Sequence, residues 1–472
     1  FRADWQYRAP ESGGGATMDI GLDLADLGRY YLGDITEVYG MASERVWQVP
    51  GSEDNAIAVL RNAAGIPASY HATWNEWAGY RVMAEVYGTL GMVRGSYGPM
   101  RTLLRAELKL SPLDFGVELI DARTYLSAGT PLNNTLVDPL DLLQGYGRLT
   151  AGPLRVTLGR FTLDVGSRRL VARNDFRNTV NAFTGADVQW SSAAGDAVRG
   201  FVVTPVVRGP VVLDALAGNR VELDRESLGA LFWGAFFGSR PLVWRLRAEA
   251  YVLGLHERDS DGAPTANRQL VTVGARALRR PAAAAFDFEL EVMGQLGRSR
   301  RTPLPADTVD LEHRALGLHA EAGWRFGAGW APRLVAQYDL ATGDADPTDG
   351  VNHRFDPLFG ARRFDLGPTG LFGALARSNL SSPGVRFEVQ PAAELDAFAG
   401  YRLVWLAAAR DAWLPASVLD PTGAAGTFIG QQLEARVRWR PFAGNLAFDA
   451  GGALLVRAEP SAYLYAQATF AL

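Results

Sequence analysis

The sequence predicts a mainly β protein. A large antiparallel transmembrane β-barrel occupies 101–472, with about 17 strands present of an eighteen-strand parent, and a small α+β piece occupies 1–100. Three observations carry this. Apolar and charged residues alternate with period two over stretches of about ten residues. Short and long connections alternate along the second part of the chain. No apolar run reaches the roughly 18 residues a spanning helix needs, a limit that does not apply to barrel strands.

The period-two signal is densest in four places. Over 433–439, Leu433, Ala435, Val437 and Trp439 alternate with Glu434, Arg436 and Arg438. Over 242–252, Leu242, Trp244, Leu246, Ala248, Ala250 and Val252 alternate with Arg245, Arg247, Glu249 and Tyr251. Phe286, Phe288, Leu290 and Val292 interleave with Asp287, Glu289 and Glu291; 104–110 repeats the pattern with Arg105, Glu107 and Lys109. A soluble sandwich also alternates, but here the polar set is densely charged and the strands have membrane length. With no water in a bilayer every backbone amide must pair, which a closed barrel achieves.

The connections are an independent test. Short ones fall near 111–114, 151–153, 192–196, 238–241, 280–283, 327–332, 392–395 and 441–445. Between them lie 127–139, 165–179, 208–225, 257–268, 298–310, 342–383 and 411–426, with one late compact link near 458–462. Outer-membrane barrels pair short periplasmic turns with long external loops. On that rule the strand before 111 runs downward, so an upward strand is expected ahead of Arg101, and 463–472 is the closing strand.

Composition narrows the function classes. The 472 residues are 48% hydrophobic and 21% charged, which excludes a disordered chain. A net charge of −4 supplies no global basic field, so no nucleic-acid partner is expected. Lys109 is the only lysine, so the arginine excess reflects a genome-wide bias and argues only weakly for anion binding. There is no cysteine, and the five histidines lack metal-ligand spacing. The chain opens on Phe1 with no basic segment leading into an apolar one, so the expectation is that this is not the natural start of an exported barrel.

In 1–100, Ile20, Leu24, Leu27 and Tyr31 fall on one helical face that Gly33 ends, and strand-like runs follow at 56–61, 68–77 and 80–87. The runs "GGGATMDIGLDLADLGRYYLGDITEVYGM", "DNAIAVLRNAAGIPASYHATW" and "MAEVYGTLGMVRGSYGPM" resemble the C-terminal domain of the Gfo/Idh/MocA oxidoreductases. Asp19, Gly21 and Asp26 match that family's helix motif, but its catalytic histidine position holds Asp23. The resemblance implies a nucleotide-binding half with a glycine fingerprint and a catalytic lysine; 1–100 contains neither. No enzyme activity and no cofactor are therefore expected, and a remnant or fusion of a nicotinamide-dependent oxidoreductase is the alternative reading.

The second part resembles the bacterial alginate-export outer-membrane family. The runs that carry the resemblance are "RTLLRAELKL", "LGRFTLDVGSRRLVARNDFRNTVNAFTGADVQW", "YDLATGD", "RFDPLFGARRFDLGPTGLFGALARSNLSSPG" and "YRLVWLAAARDAW". The resemblance implies an eighteen-stranded barrel in the bacterial outer membrane. Its cargo would be an anionic polysaccharide, its surroundings outer-membrane lipid, and its partners periplasmic export components. A uronate polymer presents repeated carboxylates, and arginine offers a bidentate fork to each. Arg160, Asp164, Arg168, Arg169, Arg173 and Arg177 start on one strand and cross a long loop. Arg245, Arg247, Arg436 and Arg438 lie on inward positions by alternation, and Arg362 and Arg363 sit in 354–370, which reads as a plug, an external lid or an ordered surface loop. Two readings of these arginines stand. They select an anion by field sign, or they form Arg–Glu ladders with residues such as Glu107, Glu249, Glu289 and Glu434 that only solvate the interior. A general porin is the second alternative.

Overall fold

The computed structural model describes residues 15–17, 22, 25–26, 29, 32–46, 50–73, 85–88, 91–94, 98–125, 127, 132–259, 265–327, 329–368, 373–442, 445–458 and 460–471. The chain forms two compact units, Phe1–Ser96 and Tyr97–Leu472.

In the first unit, β1 (Ile35–Ser43), β2 (Asn55–Asn62) and β3 (Pro67–Thr73) form an antiparallel sheet in that order, and β4 (Glu85–Gly88) pairs with β5 (Gly91–Arg94). The turn between β2 and β3 is set by Asn62, whose Oδ1 accepts the Ile66 amide at 2.9 Å, and by Gly65 at φ +80°. Gly33 takes φ +73° and donates to the Arg29 carbonyl at 2.8 Å, a left-handed helix end. The apolar face at Ile20, Leu24, Leu27 and Tyr31, and the motif positions Asp19, Gly21 and Asp23, lie outside the described residues; Asp26 is helical.

The second unit is one closed sheet of nineteen strands, two of which have only two residues. The seventeen long ones are β6 (Gly98–Leu110), β7 (Leu113–Tyr125), β8 (Asp138–Ala151), β9 (Leu154–Phe161), β10 (Phe183–Ser191), β11 (Ala197–Val207), β13 (Ala230–Gly238), β14 (Leu246–Glu257), β15 (Gln269–Arg279), β16 (Ala285–Ser299), β17 (Leu311–Arg325), β18 (Arg333–Ala341), β20 (Leu380–Ala392), β21 (Leu395–Trp405), β22 (Phe428–Phe442), β23 (Leu446–Val456) and β24 (Ser461–Phe470). The short ones are β12 (Arg225–Glu226) and β19 (Val351–Asn352). Successive long strands pair antiparallel, and β24 stands next to β6 to close the ring. An odd count of alternating strands makes that one seam parallel. Both seam strands are exposed at nearly every position on both faces, whereas β15 within the wall alternates exposed and buried.

Each short connection expected from the sequence joins two long strands, and each long one separates the next pair. Side chains sort by the pleat. On β16, Phe286, Leu290, Val292 and Leu296 are exposed, while Asp287, Glu291 and Gln295 are buried inside. On β22, Leu433, Val437 and Trp439 face out and Gln432 faces in. Exposed aromatics crowd the short-turn ends: Phe115, Trp190, Phe237, Phe286, Trp324, Trp330, Trp439, Phe442 and Phe448. That band is a girdle at one membrane interface.

One sequence expectation fails. Alternation over 242–252 implies a strand from Leu242, but β14 begins at Leu246. Val243–Arg245 is a 3₁₀ turn in which Trp244 and Arg245 have φ of 56° and 62°. Left-handed backbone breaks the period-two count, so Arg245 projects from the exposed turn and not into the interior.

The interior is packed. The largest apolar cluster joins inward residues of the wall (Phe161, Phe183, Phe201, Phe232, Tyr251, Leu253, Met293, Val404) to residues of two long connections (Leu163, Val165, Leu170, Val171 and Phe355, Leu366, Leu375). Phe359 packs edge-on to Phe183 at 5.2 Å and beside Phe232 at 4.9 Å.

Candidate functional site

Two inward connections, 162–182 and 342–379, are zipped to each other. Phe359 donates its amide to the Leu170 carbonyl at 2.9 Å, Ala361 donates to the Arg168 carbonyl at 2.9 Å, and Val171 bridges Phe359. The unit then reaches opposite walls. Arg169 meets Glu289 and Glu291 on β16, while Arg363 meets Glu434 on β22 at 2.6 Å and Tyr465 on β24 at 2.8 Å. The connections therefore cross the barrel interior.

Most interior arginines are matched to carboxylates. Arg169, 5% exposed, grips Asp365 through Nε at 2.9 Å and Nη2 at 3.1 Å, and also contacts Glu289 and Glu291. Burial alone would depress its pKa; Asp365, Glu289 and Glu291 reverse that and hold the charge firmly. Arg377 donates to Asp365 as well, and Tyr251 donates to Glu291 at 2.6 Å. Arg173 pairs with Glu118 at 2.9 Å and Asp175 at 2.8 Å, and Arg160 with Glu226 at 2.7 Å. Arg436 meets Asp396 at 2.7 Å, and Arg438 meets Asp449 at 2.6 Å. Arg276 bridges Glu249 and Glu289; Arg333 joins Asp287, Glu321 and Glu388.

A second class is matched only to neutral oxygens. Arg177 donates to Asn181 Oδ1 at 2.8 Å. Arg208 donates to the Asn134 and Val180 carbonyls at 2.9 and 3.1 Å and to Asn181 Oδ1 at 3.1 Å. Arg362 donates to the Leu375 carbonyl at 3.2 Å. All three are only partly exposed. Burial, followed by the like charges of Arg208 and Arg362, pushes the Arg177 pKa down to about 9. Burial and the neighbouring Arg377 lower that of Arg362. The three cations lie in three different connections; Arg208 and Arg362 both repel Arg177, while Arg208 is itself attracted by Asp138 and Asp224.

The remaining sequence candidates are placed as follows. Asp164 accepts the Arg173 amide at 2.9 Å and serves to shape the loop. Arg168 holds φ +66° at the zipper. Arg247 is on the inward set of β14 but near its short-turn end, away from the zipped connections. Arg363 also stacks on Phe176 at 4.7 Å. Sequence reasoning missed Arg208, Asn181 and Asp365. Each lies in a connection where no periodicity operates, and no local signal marks them.

The alginate export family profile matches residues 104–457. The chain belongs to the alginate export family. A GFO/IDH/MocA C-terminal domain profile matches 1–94. Among solved structures, Pseudomonas aeruginosa OpdQ is similar at 14% identity and TM-score 0.52, covering 80% of this chain and 94% of that one. Pseudomonas aeruginosa OccK2 (OpdF), solved in complex with glucuronate, is similar at 10% identity and TM-score 0.50, covering 81% and 92%. At such identities the likeness shows the barrel fold. No curated protein sequence matches the chain. Family and fold together make the second unit an outer-membrane β-barrel channel of the alginate export family.

Proposed function

We propose that the barrel exports an anionic, uronate-type polysaccharide, and that Arg177, Arg208 and Arg362 form the point at which a polymer carboxylate is held. The observation that carries this is the contrast in their partners. A guanidinium hydrogen-bonded to carboxylates has little attraction left for cargo, whereas Arg177, flanked by the charges of Arg208 and Arg362, bonds only to an amide oxygen and retains its own. Arg208 and Arg362 likewise bond to neutral oxygens, Arg208 with Asp138 and Asp224 nearby. A carboxylate arriving between them removes a repulsion as well as making hydrogen bonds. Arg363, in the same connection as Arg362, pairs with Glu434 and stacks on Phe176 and Tyr465, and so anchors that connection to the wall. The glucuronate in the OccK2 complex is a single uronate unit, which agrees with this cargo class. Arg160, Asp164, Arg168, Arg169, Arg173, Arg436 and Arg438 serve the channel by building its interior, with Arg247 on the same inward face.

The test is electrical. The refolded barrel in a planar bilayer is expected to prefer chloride over potassium and to be blocked by alginate oligomers more than by neutral dextrins. Arg177→Gln combined with Arg362→Gln should abolish both properties. Cation preference in the parent, or equal passage of neutral and anionic oligomers, would sink the polyanion reading in favour of a general porin.

A further inference from the structure

A second group of ionisable residues has no role in that reading. Asp138 and Asp141 stand at the start of β8, and Asp224 lies just before β12 in the connection that follows β11. One carboxylate oxygen from each lies within 4.8 Å of the other two. Asp138 is 1% exposed, and its Oδ1 has no hydrogen-bond partner. A buried carboxylate oxygen left without a donor is costly, so the site as it stands is incomplete.

Neighbouring cations do not complete it. Arg160 comes within 3.6 Å of Asp141 but is committed to Glu226 at 2.7 Å. Arg208 acts on Asp138 and Asp224 through its charge, but its hydrogen bonds go to the Asn134 and Val180 carbonyls and Asn181. A parallel cluster, His319, Asp339 and Asp365, shows the other outcome: there Arg402 reaches Asp339 at 3.2 Å, and Arg169 and Arg377 bind Asp365 directly. In that cluster guanidinium groups occupy the place a metal would take. Around Asp138 the charges of Arg208 and Arg160 are near, but no guanidinium donates to the Asp138 Oδ1.

We propose that Asp138, Asp141 and Asp224 bind one divalent cation of the calcium or magnesium type. All three donors are hard oxygens, with no imidazole or thiolate, which favours these ions over zinc or copper. The acids are already aimed by the backbone: Asp141 accepts the amides of Leu142 and Asp224, and Asp224 accepts the Gly209 amide at 2.9 Å. The ion joins two long connections. Leu216 from one packs on Leu132, Leu136 and Val137 of the other, and Asn219 pairs with the Thr124 backbone through two bonds of 2.9 Å. The cation is the ionic clasp beside this apolar and hydrogen-bonded seam. It holds 208–229 down on β7 and β8.

The full chain, refolded in detergent, stripped with EDTA and dialysed, is titrated with CaCl₂ and with MgCl₂ by calorimetry. One saturable site is expected for at least one ion. Asp138→Asn and Asp224→Asn should each weaken it at least tenfold, while Asp349→Asn, in an exposed acidic loop, leaves it unchanged. Heat-modifiable migration confirms that each variant has folded. Limited proteolysis of the unaltered chain provides a second reading: the ion should slow cleavage within 208–229 relative to EDTA. No saturable binding up to about 10 mM, affinity that ignores Asp138→Asn, or cleavage indifferent to the ion would each overturn the proposal. None of these readouts depends on what the channel carries.

Discussion

Arg169 and Arg177 lie on the same inward connection, eight positions apart in number, yet they do opposite work. Arg169 is surrounded by Asp365, Glu289 and Glu291, and its charge is consumed within the wall. Arg177 faces an amide oxygen and two further guanidinium groups, and its charge remains available. The lesson is that counting arginines in a barrel says little about selectivity. What matters is which ones the protein has neutralised. In this interior the neutralised set fixes the loops, and under the proposed function the unneutralised set is the one that meets cargo.

The comparison is broken most severely at Arg169. Arg169→Ala removes the cation shared by Asp365, Glu289 and Glu291, leaving them to Arg377, Arg276 and Tyr251, and removing one partner of a buried ion pair costs about 3–5 kcal/mol. The urea midpoint of the refolded barrel should fall accordingly, and the zipper between Leu170 and Phe359 should loosen. Tyr251→Phe attacks the same network more gently. It removes a 2.6 Å bond to Glu291, a charged acceptor, at about 1.5–3 kcal/mol. An Arg169→Ala variant as stable as its parent would show that the network is ornamental.

The opposite signature is expected at the trio. Arg177→Gln relieves repulsion, so stability should hold or rise slightly. The loss should appear in conductance. One charge removed about 10 Å from a permeating ion changes its energy by roughly 1.5 kcal/mol at an effective dielectric of about 20, or roughly tenfold in occupancy. The reversal potential in a KCl gradient reads this directly, and the effect should shrink at high salt. A stability loss without a change in selectivity would place Arg177 with Arg169 and erase the distinction.

How much of this was legible beforehand follows from which physics is local. Strand period and turn chemistry are local, so the alternation of connections and the inward set on β16 and β22 could be read directly. The count of seventeen long strands was legible for the same reason. Alternation misled only where the backbone turned left-handed at Trp244 and Arg245, a choice imposed by the β13–β14 turn and invisible to residue type. Partner choice is not local at all. Arg169 and Arg177 look alike in sequence, and what separates them is Asp365 and Arg362, which arrive from a distant connection. Asp138 and Asp224 are brought together the same way. The seam between β6 and β24 depends on ring closure, which no segment encodes alone.

Acid provides a graded way to sharpen the contrast. Burial would raise the pKa of Asp365, but Arg169, then His319 and Arg377, drive it well below the ordinary carboxylate range. Burial likewise opposes Arg268 at Asp356, whose pKa is also lowered. For a carboxyl depressed in the folded state, the stabilisation is fully present above its unfolded value near 4 and is lost as pH falls through the folded value. The inward connection 354–379 should therefore resist pepsin at about pH 4 and yield only in stronger acid.

The smallest effect is expected at Arg245. It projects from an exposed 3₁₀ turn at the girdle end. Surface changes of this kind stay within about 0.5 kcal/mol. Arg245→Ala should leave both the urea midpoint and the reversal potential where they were. Arg247, one step further and on the inward set of β14, is the informative neighbour: Arg247→Ala should shift the reversal potential less than Arg177→Gln does, because it stands near the short-turn mouth and away from the zipped connections. If Arg245→Ala moved selectivity as far as Arg177→Gln, position within the barrel, and not the identity of each arginine's partners, would have ceased to matter. That result would return the interior to the simpler picture of a uniformly charged pore.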